Sequence, residues 1–90
     1  MDIVVSQIAT RVFVESDDDG DTSYAIKALV ENHSEDEDVF ITLQAVDADD
    51  FEVATVNLSG TVPPGGQRTI TTRRFMNAGE FSRIDRWQIP

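Results

Sequence analysis

The sequence from Tyr24 to Leu58, YAIKALVENHSEDEDVFITLQAVDADDFEVATVNL, decides the fold. It contains three apolar, β-branched runs that two acidic turns separate. In the first two runs every second side chain is apolar, a period typical of strands that turn one face towards a core. The stretch therefore predicts antiparallel strands. The residues that the pattern places on the buried face are Tyr24, Ile26, Ala28, Val30, Val39, Ile41, Leu43 and Ala45.

Further strands are predicted on both sides of this stretch. Residues 3–15 form one long predicted strand with a kink or bulge near residues 7–10, which allows it to be split between two sheets. After the fourth predicted strand, residues 51–58, the segment 59–66 contains Pro63, Pro64 and paired glycines and is expected to be a loop that crosses between sheets.

The C-terminal third is predicted to contain two more strands, residues 67–75 and 83–89. They flank a loop or short helical turn at 76–81. Ile70 and Phe75 cannot both face inward without a bulge, because side chains alternate along a strand. In the last strand Asp85, Trp87 and Ile89 share one face. About seven short strands with frequent turn signals predict an all-β fold, specifically an immunoglobulin-like antiparallel β-sandwich.

Length and composition predict one domain over residues 1–90. A chain of 90 residues with 40% hydrophobic side chains is large enough for one modest core. It has no cysteine, which excludes disulfides, thiolate metal sites and a cysteine nucleophile. No apolar run reaches the roughly 20 residues of a membrane helix, so we expect no membrane insertion. A cytoplasmic location follows if Met1 is the native start, and an extracytoplasmic one if a leader was removed.

The charge of the chain is strongly negative and unevenly distributed. The formal net charge is −10, which opposes binding to nucleic acid or to anionic membranes. Residues 1–60 hold fifteen acidic and two basic side chains, whereas residues 61–90 hold two acidic and five basic ones. We therefore expect the basic C-terminal strands to pair with or lie beside the acidic N-terminal strands. Because nucleic acid and anionic membranes are disfavoured, any binding partner is expected to be a protein.

One family resemblance follows from these patterns. The pattern Tyr24-x-Ile-x-Ala-x-Val-x-Asn32, an acidic turn, an alternating strand that ends at Asp47, a strand from Phe51 and then Pro64-Gly65 resembles the FxLYD-type domains of bacteria and archaea. The segment that names the family appears here as Leu43-Gln-Ala-Val-Asp47. The resemblance implies an immunoglobulin-like sandwich, commonly in extracytoplasmic or lipid-anchored proteins and mostly without an assigned activity.

Two acidic turns suggest a calcium site as an alternative function. Successive turns of antiparallel strands alternate between the ends of a sandwich, so turns 17–21 and 47–50 are expected at one end. If they converge, their carboxylates provide the oxygen ligands that Ca²⁺ prefers. The competing interpretation is that these are solvated turns whose charges protect strand edges from pairing with other chains. The candidate ligands are Asp17, Asp19, Asp21, Asp47 and Asp49.

A second candidate site is basic. Arg73 and Arg74, beside Phe75, belong to the only cluster of basic and aromatic residues, and they suggest a surface that recognises a carboxylate-rich partner. The alternative is that these arginines neutralise neighbouring acidic strands.

No arrangement in the sequence predicts catalysis. His33 is followed by Ser34 and acids, but adjacent turn residues cannot surround one substrate as a triad does. We expect a non-catalytic structural or protein-interaction module that makes contacts through exposed strand edges and end loops, without a cofactor unless calcium binds.

Overall fold

A computed structural model describes residues 2–90 of the chain. They form an all-β structure with one short helix, as the alternating pattern predicts. Six strands are present among these residues, rather than the expected seven or so. The elements are β1 (Ile3–Val14), β2 (Asp21–Asn32), β3 (Asp38–Val46), β4 (Glu52–Thr61), β5 (Gln67–Asn77), α1 (Ala78–Phe81) and β6 (Arg86–Gln88).

The strands form two antiparallel sheets of three strands each, which share one core. The strand order is β1-β2-β5 in one sheet and β4-β3-β6 in the other. The predicted period of two is confirmed, since every second residue of β2 and β3 is buried. The largest fully buried apolar side chains are Tyr24, Ile26, Leu43, Leu58, Val30, Val46 and Val62.

The first strand contains the predicted bulge but stays in one sheet. The register between β1 and β2 shifts between Ser6 and Ala9, and Gln7 has a φ of 53° there. Because β1 pairs with β2 on both sides of this bulge, the expected division between two sheets is wrong. Bulges of this kind generally increase the local right-handed twist of a strand.

The fourth strand is longer than predicted. It continues through Ser59 and Gly60 to Thr61, where a loop was expected. Gly60 lies in close contact with the facing sheet, since a Cβ on it would lie 3.2 Å from the Cδ1 atom of Ile70. The glycine therefore marks close packing between the sheets, and the crossing loop begins only at Val62.

The register of β5 leaves Phe75 outside the core. Pairing with β2 continues without a bulge from Gln67 to Asn77, so Ile70 and Met76 face inward and Phe75 is exposed. The short helix then follows, as the lost strand period predicts, and the Asn77 side chain caps it. A helix of four residues is too short to cross a bilayer, and residues 2–90 contain no longer one.

An aromatic cluster closes this end of the molecule. The Tyr24 ring centroid lies 5.0 Å from that of Phe81 and 6.2 Å from that of Trp87. Trp87 packs against the core from β6, whereas Ile89, predicted on the same face, is 42% exposed. The last strand comprises only Arg86–Gln88 and is shorter than the predicted 83–89.

Candidate functional site

The third strand has an open edge. On one side β3 pairs with β4 over its whole length, but on the other side β6 pairs only with Gln44–Val46. Residues 38–43 have no partner strand on that side among residues 2–90. Their outward backbone N–H and C=O groups are therefore available to another extended chain.

An apolar groove of about 390 Å³ lies beside this open edge. Its outermost member is Phe40, whose side chain is 82% exposed. Because Ile3 and Val5 belong to β1, the groove lies between the edges of the two sheets. The lining residues are Ile3, Val5, Phe40, Ile41, Thr42, Ile89 and Pro90.

The other long edges carry features that oppose strand addition. β1 has two register shifts and a charged side chain at Arg11, while β5 carries three arginines. The edge of β4 is approached by Arg74, whose Nη2 donates to the backbone oxygen of Asn57 at 3.3 Å. By contrast, the open edge of β3 contains no proline or bulge, and its one charged residue, Asp38, stands at its start. Charges and bulges are the usual protection of an edge, so β3 is the unprotected one.

The two acidic turns have the same internal construction. In each, the first aspartate accepts two backbone N–H groups of its own turn through Oδ1, and the fourth residue has a positive φ. That residue is Gly20 (φ 78°) in one turn and Asp50 (φ 68°) in the other. The accepted donors are Asp19 N–H and Asp21 N–H for Asp17, both at 2.9 Å, and Asp49 N–H (2.9 Å) and Phe51 N–H (3.0 Å) for Asp47.

The structure does not assemble the proposed calcium ligands. Within residues 2–90 no group of three or more His, Cys, Asp or Glu side chains is placed to hold a metal ion. The second turn instead lies against arginines: Arg83 Nη2 is 3.7 Å from Asp47 Oδ2, and Arg86 pairs with Asp50. The calcium alternative remains a prediction that needs a rearrangement of these side chains.

Arg73 and Arg74 point to opposite faces of β5. Arg73 pairs with Ala25 on the outer face of its sheet, where its guanidinium lies 4.3 Å from the Phe13 ring centroid. Arg74 pairs with Tyr24, whose side chain is in the core, and its Nη1 donates to Thr72 Oγ1 at 2.6 Å. The two arginines therefore do not form one recognition cluster, and only Arg73 faces outward from the sheet.

His33 has an acid neighbour but no paired nucleophile. Its Nε2 lies 3.5 Å from Glu31 Oε2. The Ser34 hydroxyl donates to Asn32 Oδ1 at 2.7 Å and approaches the Asp36 carbonyl oxygen at 3.0 Å instead of contacting His33. This turn is held together by hydrogen bonds of the loop itself.

The open edge was missed by sequence reasoning, although one signal for it exists. Phe40 occupies an outward position of β3, where the pattern of a half-buried strand calls for a polar side chain. The run Val39–Leu43 is consequently apolar on both faces apart from Thr42. An aromatic residue on the solvent side of an uncharged strand is the feature that points to a contact surface.

Comparison of the chain with protein-family models, with curated proteins and with solved structures gives no match. The resemblance to FxLYD-type domains stays a prediction.

Proposed function

We propose that this protein is a non-catalytic protein-interaction module of immunoglobulin-like, FxLYD-type fold, and that it binds an extended segment of a partner chain along the open edge of β3. The observation that carries the proposal is the absence of a partner strand beside residues 38–43 within the described part of the chain, next to an apolar groove. Strand addition of this kind obtains affinity from main-chain hydrogen bonds and specificity from pockets for alternate side chains.

The strand order supports the immunoglobulin-like part of the proposal. In that fold the first, second, fourth and fifth strands share one sheet, and the third, sixth and seventh share the other. The order β1-β2-β5 and β4-β3-β6 matches this distribution for every strand except β4. β4 lies beside β3, where variable-type domains place an additional strand.

The sixth strand borders the open part of the β3 edge. In the full sandwich the sixth strand runs along the third one, but β6 has only three residues. Beyond β6, Ile89 and Pro90 line the groove beside β3 but do not pair with it as a strand. An added strand would continue the line of β6 and cover Phe40 and Ile41.

Charge determines which segment fits best. The start of β3 carries Asp38, which follows Glu37, and β1 begins next to Asp2. In a chain of net charge −10, these residues favour a partner strand that alternates apolar and basic side chains. Its apolar side chains would enter the groove while its basic ones remain in solvent.

A defined peptide tests the proposal. A synthetic peptide that alternates valine and lysine is titrated into the ¹⁵N-labelled protein, and amide hydrogen exchange is followed residue by residue. We expect protection to increase within Val39–Leu43, because backbone groups there gain partners. A peptide of the same composition with prolines at two central positions is the control, since proline lacks the N–H that the ladder needs.

Two matched variants locate the binding surface. Phe40→Lys should weaken peptide binding roughly tenfold, because it removes apolar contact and adds a charge that repels the lysines. Phe51→Lys changes another exposed phenylalanine, which does not line the groove, and should leave affinity within about twofold. The proposal fails if the proline peptide binds equally well, or if protection appears along β1 or β5 and not along β3.

A further inference from the structure

A group of basic side chains without acidic partners lies on the outer face of the other sheet. Register places Arg11, Ala25 and Arg73 in one row across β1, β2 and β5. Lys27 is in the next row. Among residues 2–90 these three basic side chains make no ion pair and no hydrogen bond, although seventeen acidic residues outnumber seven basic ones in the whole chain.

Acidic side chains lie at the two ends of this face and not at its centre. Glu31 occupies the last row, opposite Val4 and Gln67, and Asp21 begins β2 at the other end. Arg11, Lys27 and Arg73 therefore form a locally positive area at the centre of this outer face, although the net charge of the chain is negative. Arg11 and Lys27 come from the acidic first two thirds of the chain, where they are the only basic residues.

Small side chains between the cations create a depression, which we name the basic cleft. It has a volume of about 550 Å³, and its floor contains Ala9, Ala25 and Thr71. Arg11 and Lys27 line it together with Phe13, and Arg73 stands at its rim over the Phe13 ring. The floor residues are too short to fill the space between the charged side chains.

Phe13 holds the two arginines beside the cleft. The guanidinium carbon of Arg73 lies 4.3 Å from the ring centroid, and that of Arg11 lies 5.9 Å from it. Both distances are within the range of cation–π attraction. Phe13 projects here because the register between β1 and β2 shifts between Val12 and Val14. A bulge at an edge that redirects a side chain is often associated with a functional position.

We propose that the basic cleft binds the carboxylates of an extended acidic segment of a partner protein. Charge complementarity selects this occupant, because guanidinium groups present a planar fork that matches a carboxylate. Nucleic acid fits less well, since it carries a charge on every nucleotide, whereas a peptide segment can present only the few carboxylates that the cleft accommodates. This site is on the outer face of the sheet that does not contain β3, so the inference is independent of the proposed strand addition.

The spacing of the arginines agrees with an extended ligand. Arg11 and Arg73 lie on opposite neighbours of β2, so their backbones are roughly 10 Å apart, or two strand spacings. Alternate side chains of an extended peptide point the same way and are about 7 Å apart. Two acidic residues separated by one position can therefore each reach one of these long side chains, with Lys27 between them and one row away.

Titration with an oligoglutamate peptide tests the inference. Binding is followed by fluorescence anisotropy of the labelled peptide and by amide chemical shifts, with an oligoglutamine peptide of equal length as the neutral control. We expect saturable binding that centres on Ala25 and Thr71 and weakens as salt is raised, because these exposed charges are screened. Oligoglutamine should not bind measurably over the same range.

Two arginine variants of equal charge change distinguish a site from general attraction. Arg73→Gln should weaken oligoglutamate binding roughly tenfold, the loss expected for one charge-assisted pair. Arg68 lies on the same strand but outside the cleft, and it donates to the Thr61 carbonyl oxygen. Arg68→Gln should therefore change oligoglutamate binding less than twofold. Thermal melts of both variants verify folding.

Phe13→Leu adds a test of positioning. It keeps all charges but removes the ring, and we expect an intermediate loss of about threefold because the guanidinium groups become less ordered. Equal effects of Arg73→Gln and Arg68→Gln, or equal binding of oligoglutamate and oligoglutamine, would overturn the inference. Neither result bears on the β3 edge, where the probe is basic and the readout lies in Val39–Leu43.

Discussion

Replacement of Asn32 by aspartate should destabilise the protein far more than its small size suggests. Asn32 is fully buried, and both the nitrogen and the oxygen of its side-chain amide form hydrogen bonds. Nδ2 donates to the backbone oxygens of Asp36 at 2.7 Å and Val62 at 2.8 Å, and Oδ1 accepts from the N–H and hydroxyl of Ser34 at 2.9 and 2.7 Å. One amide thus joins the β2–β3 turn to the loop that crosses between the sheets.

The expected magnitude follows from the two donated hydrogen bonds. Asn32→Asp keeps the shape but replaces the donor NH₂ by an acceptor, so the buried oxygen of Val62 loses its donor, while the Asp36 oxygen keeps only the Ser34 hydroxyl. The unsatisfied Val62 oxygen costs about 1–3 kcal/mol, and the buried negative charge adds to this. We expect a loss of about 3–5 kcal/mol in the free energy of unfolding, or a fall in Tm of at least about 12 °C for a domain of this size.

The loss should also depend on pH with a defined sign. Burial and the facing carbonyl oxygens raise the pKa of the introduced carboxyl group above its unfolded value of about 4. The protonated group is neutral and can donate once, so the penalty is smallest below pH about 4 and grows as pH rises through the folded pKa. Urea unfolding of wild type and variant at several pH values measures this difference.

Asn57→Asp is the matched control. Asn57 is exposed, and its Oδ1 accepts from Thr42 Oγ1 at 2.9 Å, a role that a carboxylate also performs. We expect a change within about 0.5 kcal/mol. The reasoning is refuted if Asn32→Asp costs no more than Asn57→Asp, or if its cost does not increase between acidic and neutral pH.

Two further predictions concern titration and metal binding. Burial raises the pKa of Tyr24 above 10.0, an effect that nearby Arg74 partly offsets. The folded state therefore favours the neutral phenol, because unfolded tyrosine ionises near pH 10. The resulting contribution to the free energy of unfolding is present below pH 10 and is lost as pH rises through the folded pKa. Absorbance titration of this single tyrosine should give a midpoint above 10, and a midpoint at or below 10 contradicts the prediction. Addition of millimolar calcium should leave Tm unchanged, because Asp17 and Asp47 already accept hydrogen bonds within their own turns. A calcium-dependent rise in Tm, with shifted amide signals in both turns, would instead support the calcium alternative.

Local features of the fold were accessible from sequence because they depend on neighbouring residues. The two-residue period of β2 and β3 identifies their buried faces. Gly20 supplies the left-handed conformation of its turn, and Asp50 takes the same conformation in the other turn. The bulge near Gln7 follows from an interrupted period in β1. The opposite orientation of Arg73 and Arg74 is a consequence of strand alternation too, although the two were predicted to share one surface.

The burial of Asn32 shows where this reasoning stops. By residue type it belongs in a solvated turn, and only the meeting of the β2–β3 turn with Val62 encloses it. The continuation of β4 through Gly60 likewise places this residue against Ile70 in the facing sheet, a contact that local sequence does not indicate. In both positions a contact between distant segments outweighs the local preference of the residue.

The sequence by itself determined the extended character of most of the chain and the buried faces of β2 and β3, because alternation is a property of the chain over a few positions. Tertiary structure alone decided that Arg11 lies in one row with Arg73 and that β6 leaves part of β3 uncovered. Both depend on register between strands that are far apart in sequence. That register is fixed by how the two sheets fill one shared core, a condition that no local segment contains.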